Sequence, residues 1–394
     1  KWKIKIRIRF NKTLLAIAVL FFLAVLFRIP FLIHNFGMMS SDDAIPALMG
    51  KHVSEGKIPA ICYYGQLYMG SLSSHFFALM FKLFGYSIFV LKLSTLFFYL
   101  AFIAVHFLFL KEISSFTFSW IISFFYCLPL HNLVIVSFDT TSSYSLVLLF
   151  GASLTYISYL ISYRKRERLV PFLGFLSGIS FWTHPITAYF ILTALLLLVF
   201  KARIKLKKYG LLAASALVGI FPQLLLEVSS KFRLSRFLYA GEKKILSWEK
   251  LRSIARFIIS LLSSESHPAG YFFLFLLLLG FATLIYLAFK EKKFLPLNIY
   301  NLFFVIASLM YLFSAFSNKP VIRYLYPFYF CLPVLLLSVF LLIRSKLKYI
   351  LSFALILILF FFFNLKGSYF FYTITRDLHH TLNQVISSMK ETGK

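Results

Sequence analysis

Long continuous apolar runs separated by short polar clusters set the pattern of this chain. The runs cover residues 13–33, 87–110, 116–130, 145–163, 169–182, 186–200, 209–226, 271–289, 294–316, 324–343 and 349–364. A helix needs roughly 20 apolar residues to cross the hydrocarbon core of a bilayer, so these runs predict an all-α polytopic membrane protein with about 11 transmembrane helices. Strands of a membrane barrel would alternate apolar and polar positions, which these runs do not. The legs 169–182 and 186–200 are both short. They read as a broken pair meeting at Thr183-His184-Pro185. Residues 71–85 are apolar but interrupted by His75 and Lys82 and closed by Gly85, which suits a helix lying in the interface.

Four polar stretches stand out against this background: residues 34–86, 131–144, 227–270 and the tail 365–394. There is no internal repeat, and the chain 1–394 reads as a single membrane domain without a sizeable soluble part. A composition of 60% hydrophobic residues and a mean hydropathy of +0.85 exclude an ordinary soluble domain, which carries about 45–50% apolar residues. The three cysteines, Cys62, Cys127 and Cys331, are too few and scattered for a disulfide framework.

The net charge of +28 would suggest nucleic acid if it lay on one soluble face. Here the basic residues sit in clusters between apolar runs, as the positive-inside rule describes, so no nucleic-acid partner is expected. Six basic residues precede the first run, and RKRER, KARIKLKK, KEKK and RSKLK punctuate later ones. These clusters, with Lys111, hold more than half of the 41 Lys and Arg. They place the N-terminus and the even-numbered turns on the cytoplasmic side of the cytoplasmic membrane, with the first run an uncleaved span. Arg28 and Lys92, inside apolar runs, read as snorkelling side chains.

Ten of the 13 acidic residues then fall on the outer side, where any polar chemistry belongs. Asp42 and Asp43 lie side by side in the first outer loop, HNFGMMSSDDAIPALMGKHVSEGKIPAICYYGQLYMG. Adjacent carboxylates repel, which raises the proton affinity of one of them and suits a general base acting on an acceptor hydroxyl. The same residues also read as first-turn acids of a helix, and both roles can hold together. Asp139, in SFDTTSS, reads first as a cap for the next helix. His184 and His267 each precede a proline, and neutral imidazole near carboxylates could serve a divalent metal. Arg323 in VIRYLYPFYF is the best phosphate-binding candidate, because guanidinium pairs bidentately with phosphate, although an interface anchor beside Tyr324 and Tyr326 is the plain alternative.

The segment SSDDAIPALMGKHVSEGKIPAICYYGQLYMGSLSSHFFALMFKLFGYSIFVLKL resembles the first outer loop of GT-C class membrane glycosyltransferases. It is similar to relatives of the protein O-mannosyltransferases and the lipid A aminoarabinose transferase, the glycosyltransferase family 39 group. GFLSGISFWTHP, SSESHPAGY and VIRYLYPFYF resemble later segments of that group, in the same order. The resemblance implies a GT-C-like fold and an inverting enzyme that takes a sugar from a polyprenyl-phosphate donor to a glycan, lipid or protein acceptor on the outer face. It implies Asp42 as the base and Asp43 as its helper or a cation ligand. It sets Asp139 against the family's second-loop acid, and puts His184, His267 and Arg323 around the donor phosphate or a metal. His52, Tyr64, Gln66 and Tyr68 would be first-loop substrate contacts. Asp43, Asp139 and His267 are the candidates for a divalent metal. Two departures matter. The common acidic pair is Asp-Glu and here it is Asp-Asp, which leaves the base open between the two. Some relatives hold the phosphate with a first-loop lysine, and here that place reads Tyr63-Tyr64-Gly65-Gln66-Leu67-Tyr68. The competing classes are a lipid or glycolipid transporter, which would favour charges near mid-membrane, and a non-catalytic scaffold subunit.

Overall fold

The first apolar run does not make one straight rod. In the computed structural model, which describes residues 11–34, 41–141, 143–231, 252, 268–313 and 322–363, α1 (Lys12–Leu26) stops at a turn and α2 (Ile29–His34) begins anew. Pro30 has no amide hydrogen to continue the ladder, and the break leaves carbonyls at the end of α1 without helical donors. Arg28 fills that gap. It is fully buried and does not snorkel, contrary to the expectation from sequence.

Six described helices are long and apolar enough to cross a membrane: Ile88–Ile113, Tyr144–Arg164, Pro185–Ala202, Leu206–Ser229, Tyr271–Lys290 and Lys292–Phe313. The total reaches 8 if the bent pairs Phe116–Cys127 with His131–Phe138, and Arg323–Phe330 with Leu332–Leu342, each count as one span. The described residues thus form an all-α, membrane-embedded polytopic protein. The other expected crossings are shorter helices: α1, α9 (Val170–Thr183) and the helix Leu347–Phe363. At 1.5 Å per residue, the 14 residues of α9 rise about 21 Å, well under the bilayer core.

Residues 131–144 are not simply an outer loop. After α5 (Ile88–Ile113) and α6 (Phe116–Cys127), the chain bends by 79° into α7 (His131–Phe138), most of which is buried against α5 and α8 (Tyr144–Arg164). Pro129 explains the break: it cannot donate to the α6 ladder and it holds the preceding residue extended (Leu128 ψ 143°). Arg28 then locks the bend. Its Nη1 donates to the Cys127 carbonyl at 2.9 Å and the Ala24 carbonyl at 3.2 Å, Nη2 to Tyr126 O at 3.1 Å, and Nε to Ser137 Oγ at 3.0 Å. The guanidinium also lies 4.5 Å from the centre of the Tyr99 ring. Lys92 does the same work at the other end of α7, donating to Phe138 O at 3.1 Å rather than reaching for solvent.

α9 and α11 (Leu206–Ser229) cross at backbone contact. Gly174 and Gly178 are four residues apart, the small-xxx-small spacing that lets membrane helices approach closely. A Cβ on Gly178 would sit 2.1 Å from Ala216 O, and one on Gly219 would sit 2.3 Å from Phe175 O. The remainder of α11 exposes Leu217, Val218, Phe221, Leu225 and Val228, a face composed for lipid.

At one end of the bundle sits the first polar stretch: α3 (Ser41–Ser54), the hairpin β1 (Cys62–Tyr63) and β2 (Gln66–Gly70), then α4 (Leu72–Phe84). Gly65 (φ 76°) makes the turn between the strands. α3 packs on α4 where Gly50 faces Phe77, and the Trp182 indole of α9 donates to Ile61 O at 3.1 Å. Gln223 of α11 is also tied to the hairpin, accepting from the Cys62 thiol at 3.3 Å. Burial, and then the nearby Glu227 carboxylate, push that thiol up to about 12, so Cys62 is an inert packing residue.

Candidate functional site

α3 opens with Ser41-Asp42-Asp43, which puts two carboxylates in its first turn, where the helix dipole favours them. Successive helix residues project about 100° apart, and the two acids go separate ways. Asp43 turns to the α7–α8 connection. Its Oδ1 accepts from Thr140 Oγ1 at 2.6 Å, Thr141 Oγ1 at 3.1 Å and the Thr140 amide at 3.2 Å, while Thr140 Oγ1 also lies 3.3 Å from Asp43 O. Asp42 turns instead into a cleft lined by Gln66, Tyr68, Met69, Thr141, His184, Arg323 and Tyr324.

Across the cleft, Arg323 Nη1 stands 3.9 Å from Asp42 Oδ2, with both side chains nearly half exposed (41% and 47%). Such a pair is worth roughly 0–1 kcal/mol, little enough for a competing anion to part it. The enclosed free volume of the cleft is about 10 Å³, room for a single water, and both side chains remain open to solvent beside it.

His184 forms the third wall. It occupies the turn between α9 and the span Pro185–Ala202, and its Nδ1 accepts from the Ile186 amide at 3.2 Å. That bond makes Nε2 the protonated nitrogen of the neutral ring. Burial, helped by the Arg323 guanidinium, pushes the imidazole down to about 3, so it stays neutral and acts as a hydrogen-bond donor rather than a cation. Gln66 contributes a buried Oε1 that has no hydrogen-bond partner among the described residues. Tyr68 is held as the neutral phenol, its proton affinity raised by burial and by neighbouring Tyr324 against the opposing pull of Arg323. Behind them the Tyr144 ring lies 5.6 Å from that of His184.

Five of the residues expected from sequence therefore meet in one cleft: Asp42, Gln66, Tyr68, His184 and Arg323. Others do not join it. His52 and Tyr64 bond to one another, Nδ1 to hydroxyl at 3.0 Å, and line no part of the cleft. Asp139 is the C-cap of α7 rather than a cap for the following helix, whose N-cap is Ser143, and it does not line the cleft. His267 lies outside the described residues. Among the described residues no three His, Cys, Asp or Glu side chains gather as a metal would require. With Oδ1 engaged by three donors, Asp43 fits a clamp better than a metal ligand.

Thr140 and Thr141 were visible in SFDTTSS but carried no signal of their role, since hydroxyls one residue beyond an acid usually cap helices. A lone arginine at a helix end normally reaches for the interface, and the break between α1 and α2 gives Arg28 buried carbonyl partners instead. No family model matches the chain, and a search of curated proteins finds no match.

Proposed function

We propose that this protein is an integral membrane glycosyltransferase of the GT-C type. It moves a sugar from a polyprenyl-phosphate donor to an acceptor hydroxyl, with Asp42 as general base and inversion at the anomeric carbon. The observation that carries the proposal is the facing of Asp42 and Arg323 across one cleft, with neutral His184 and the unpartnered Gln66 oxygen beside them. A carboxylate that takes a proton and a guanidinium that takes a phosphate are the two groups this displacement needs.

In this reading the donor phosphate parts the Asp42–Arg323 pair and takes Arg323 for itself. Asp42, released, accepts the proton of the acceptor hydroxyl as its oxygen bonds to the anomeric carbon. The bond from that carbon to the phosphate oxygen breaks, and polyprenyl phosphate leaves with the electron pair beside Arg323. Gln66 Oε1 and Tyr68 hold sugar hydroxyls, and the neutral His184 Nε2–H donates to an oxygen of the donor. Asp43 positions Asp42 through Thr140 and Thr141. The distribution of the basic clusters supports a chain of about eleven crossings with the cleft on the extracytoplasmic side of the cytoplasmic membrane.

The test is transfer from labelled polyprenyl-phosphate sugars in membranes carrying wild type, Asp42→Asn, Arg323→Gln or Asp43→Asn at matched expression. Asp42→Asn lowers turnover about 10²–10⁴-fold, the usual worth of a positioned base. Full turnover by Asp42→Asn sinks the assignment. The two bent helix pairs give a transporter its strongest support. Movement of intact lipid-linked sugar across the bilayer without release of polyprenyl phosphate would favour that class.

A further inference from the structure

The described residues hold a second cavity, far from Asp42. The helix pair that begins with Arg323 in the cleft runs to Leu342, and Arg344 just beyond it lines this cavity of about 540 Å³. One helix pair long enough to count as a span therefore separates the two sites, and they lie at opposite ends of it.

The cavity is built from the ends of three segments: the helix Pro268–Lys290, the 3-10 turn Lys292–Leu297, and the chain from Leu341 to Lys348. Its chemistry is divided. Leu287, Phe294 and Leu342 make an apolar wall, with Leu342 49% exposed. Lys290, Lys293, Arg344 and Lys348 bring four cations against one acid, Glu291. Lys293 pairs with Glu291, and with Arg344 and Lys290 it holds that carboxyl below its usual range. Among the described residues Lys290, Arg344 and Lys348 have no carboxylate partner. Lys290 donates to the Tyr286 hydroxyl at 3.1 Å, and Lys348 lies over the Tyr349 ring at 5.3 Å. Three cations thus line a space that also has an apolar wall, open to the outside at Leu342.

We propose that this cavity binds an anionic phospholipid of the leaflet opposite the Asp42 cleft, with the headgroup phosphate among Lys290, Arg344 and Lys348 and the acyl chains along Leu287, Phe294 and Leu342. A free phosphate would use the cations and leave the apolar wall bare. A zwitterionic lipid would bring its own cation into a site already rich in them. Basic pockets between helix ends at a membrane surface are suited to acidic headgroups for these reasons. The assignment does not depend on the cleft's chemistry.

The experiment uses the full chain in detergent, titrated with phosphatidylglycerol, phosphatidylcholine or inorganic phosphate, with bound species counted by native mass spectrometry. Phosphatidylglycerol is expected to bind in preference to both others. The Lys290→Gln/Arg344→Gln/Lys348→Gln variant is expected to weaken it roughly a hundredfold, since each basic residue near an anionic surface contributes about 1 kcal/mol. A second variant, Lys205→Gln/Lys207→Gln/Lys208→Gln, removes the same charge away from the cavity and should leave binding intact. Melting curves of both variants check that these largely exposed substitutions leave the fold unchanged. Equal weakening by the second variant would overturn the proposal in favour of diffuse surface charge. Equal binding of phosphatidylcholine, or of inorganic phosphate at matched concentration, would overturn it as well.

Discussion

Replacing Arg28 should loosen the acid pair from a distance, through a path that can be followed bond by bond. Arg28 ties the end of α1 to the Cys127 carbonyl and to Ser137 on α7. α7 leads directly to Thr140 and Thr141, which grip Asp43, and Asp43 sets the first turn of α3 where Asp42 stands. Arg28→Met keeps an unbranched stem but removes every donor. Tyr126 O retains the Tyr99 hydroxyl at 2.8 Å, so the main losses are the partners of Ala24 O and Cys127 O. Two buried carbonyls left bare cost about 1–3 kcal/mol each, and the lost ring contact adds up to about 2 kcal/mol. Relief from burying an ionised group offsets part of this, because a fully buried guanidinium is costly even when well bonded. The net expectation is roughly 2–4 kcal/mol of destabilisation. Arg28→Lys, which keeps the charge but not the fork, should fall between wild type and Met. All three cysteines are buried, so a thiol-reactive dye reports unfolding. In a Cys62→Ala/Cys331→Ala background it reports Cys127 alone, next to the bonds at issue. A Met variant that melts at or above the wild-type temperature, with unchanged dye access and turnover, would refute both the stability argument and the proposed path.

Gly178→Leu should break the α9–α11 crossing, because the added Cβ alone would meet Ala216 O at 2.1 Å and no flexible side chain is there to yield. The expected outcome is loss of the folded peak in detergent gel filtration, whereas Gly210→Ala, on the partner helix α11 with open space around it, should behave as wild type. His184 gives a pH dependence. Its folded-state value near 3 lies below the ordinary 6.5, so the unfolded chain binds the proton first and stability is lost as pH falls from 6.5 toward 3. By that linkage the loss reaches about 1.4 kcal/mol near pH 5.5, and a His184→Asn variant should show a flatter melting profile over the same window. Asp43→Asn keeps an oxygen that can accept from both threonines and should retain most turnover, while Asp43→Ala should lose more, with Asp42 untouched in each. Turnover assays of the pair check this, and an Asn variant as dead as Asp42→Asn would make Asp43 a chemical participant.

The fold class was legible because hydrophobic length is a coarse signal that bilayers impose directly. Length alone gives the span count less directly, since α9 and α1 read as crossings in the sequence and are shorter helices in the structure, ending before Pro185 and at the Pro30 break. In the site, residue type and context single out Asp42, His184 and Arg323, while Gln66 and Tyr68 enter only through the resemblance of the first outer loop. Bringing them together required the tertiary fold, since Arg323 stands far along the chain from Asp42. The α7 helix was hidden for a different reason. HNLVIVSF has the polar ends of a loop and the middle of a strand, and only burial against α5 and α8 makes it helical.

The acid pair shows where a sequence argument about charge needs backbone geometry. Two carboxylates in consecutive positions invite the idea of a shared proton. On a helix, however, neighbours point about 100° apart, and each carboxylate finds its own surroundings. Asp43 faces two hydroxyls and an amide, a setting that satisfies Oδ1 with three donors. Asp42 faces the Arg323 guanidinium across a narrow cleft and stays nearly half exposed. The adjacency therefore puts the two carboxylates in different surroundings, one held at the α7–α8 connection and the other facing the cleft. The same logic accounts for aspartate at position 43. A clamp at the first turn of α3 must meet Thr140 at 2.6 Å, and a longer glutamate would need the α7–α8 connection to stand farther away.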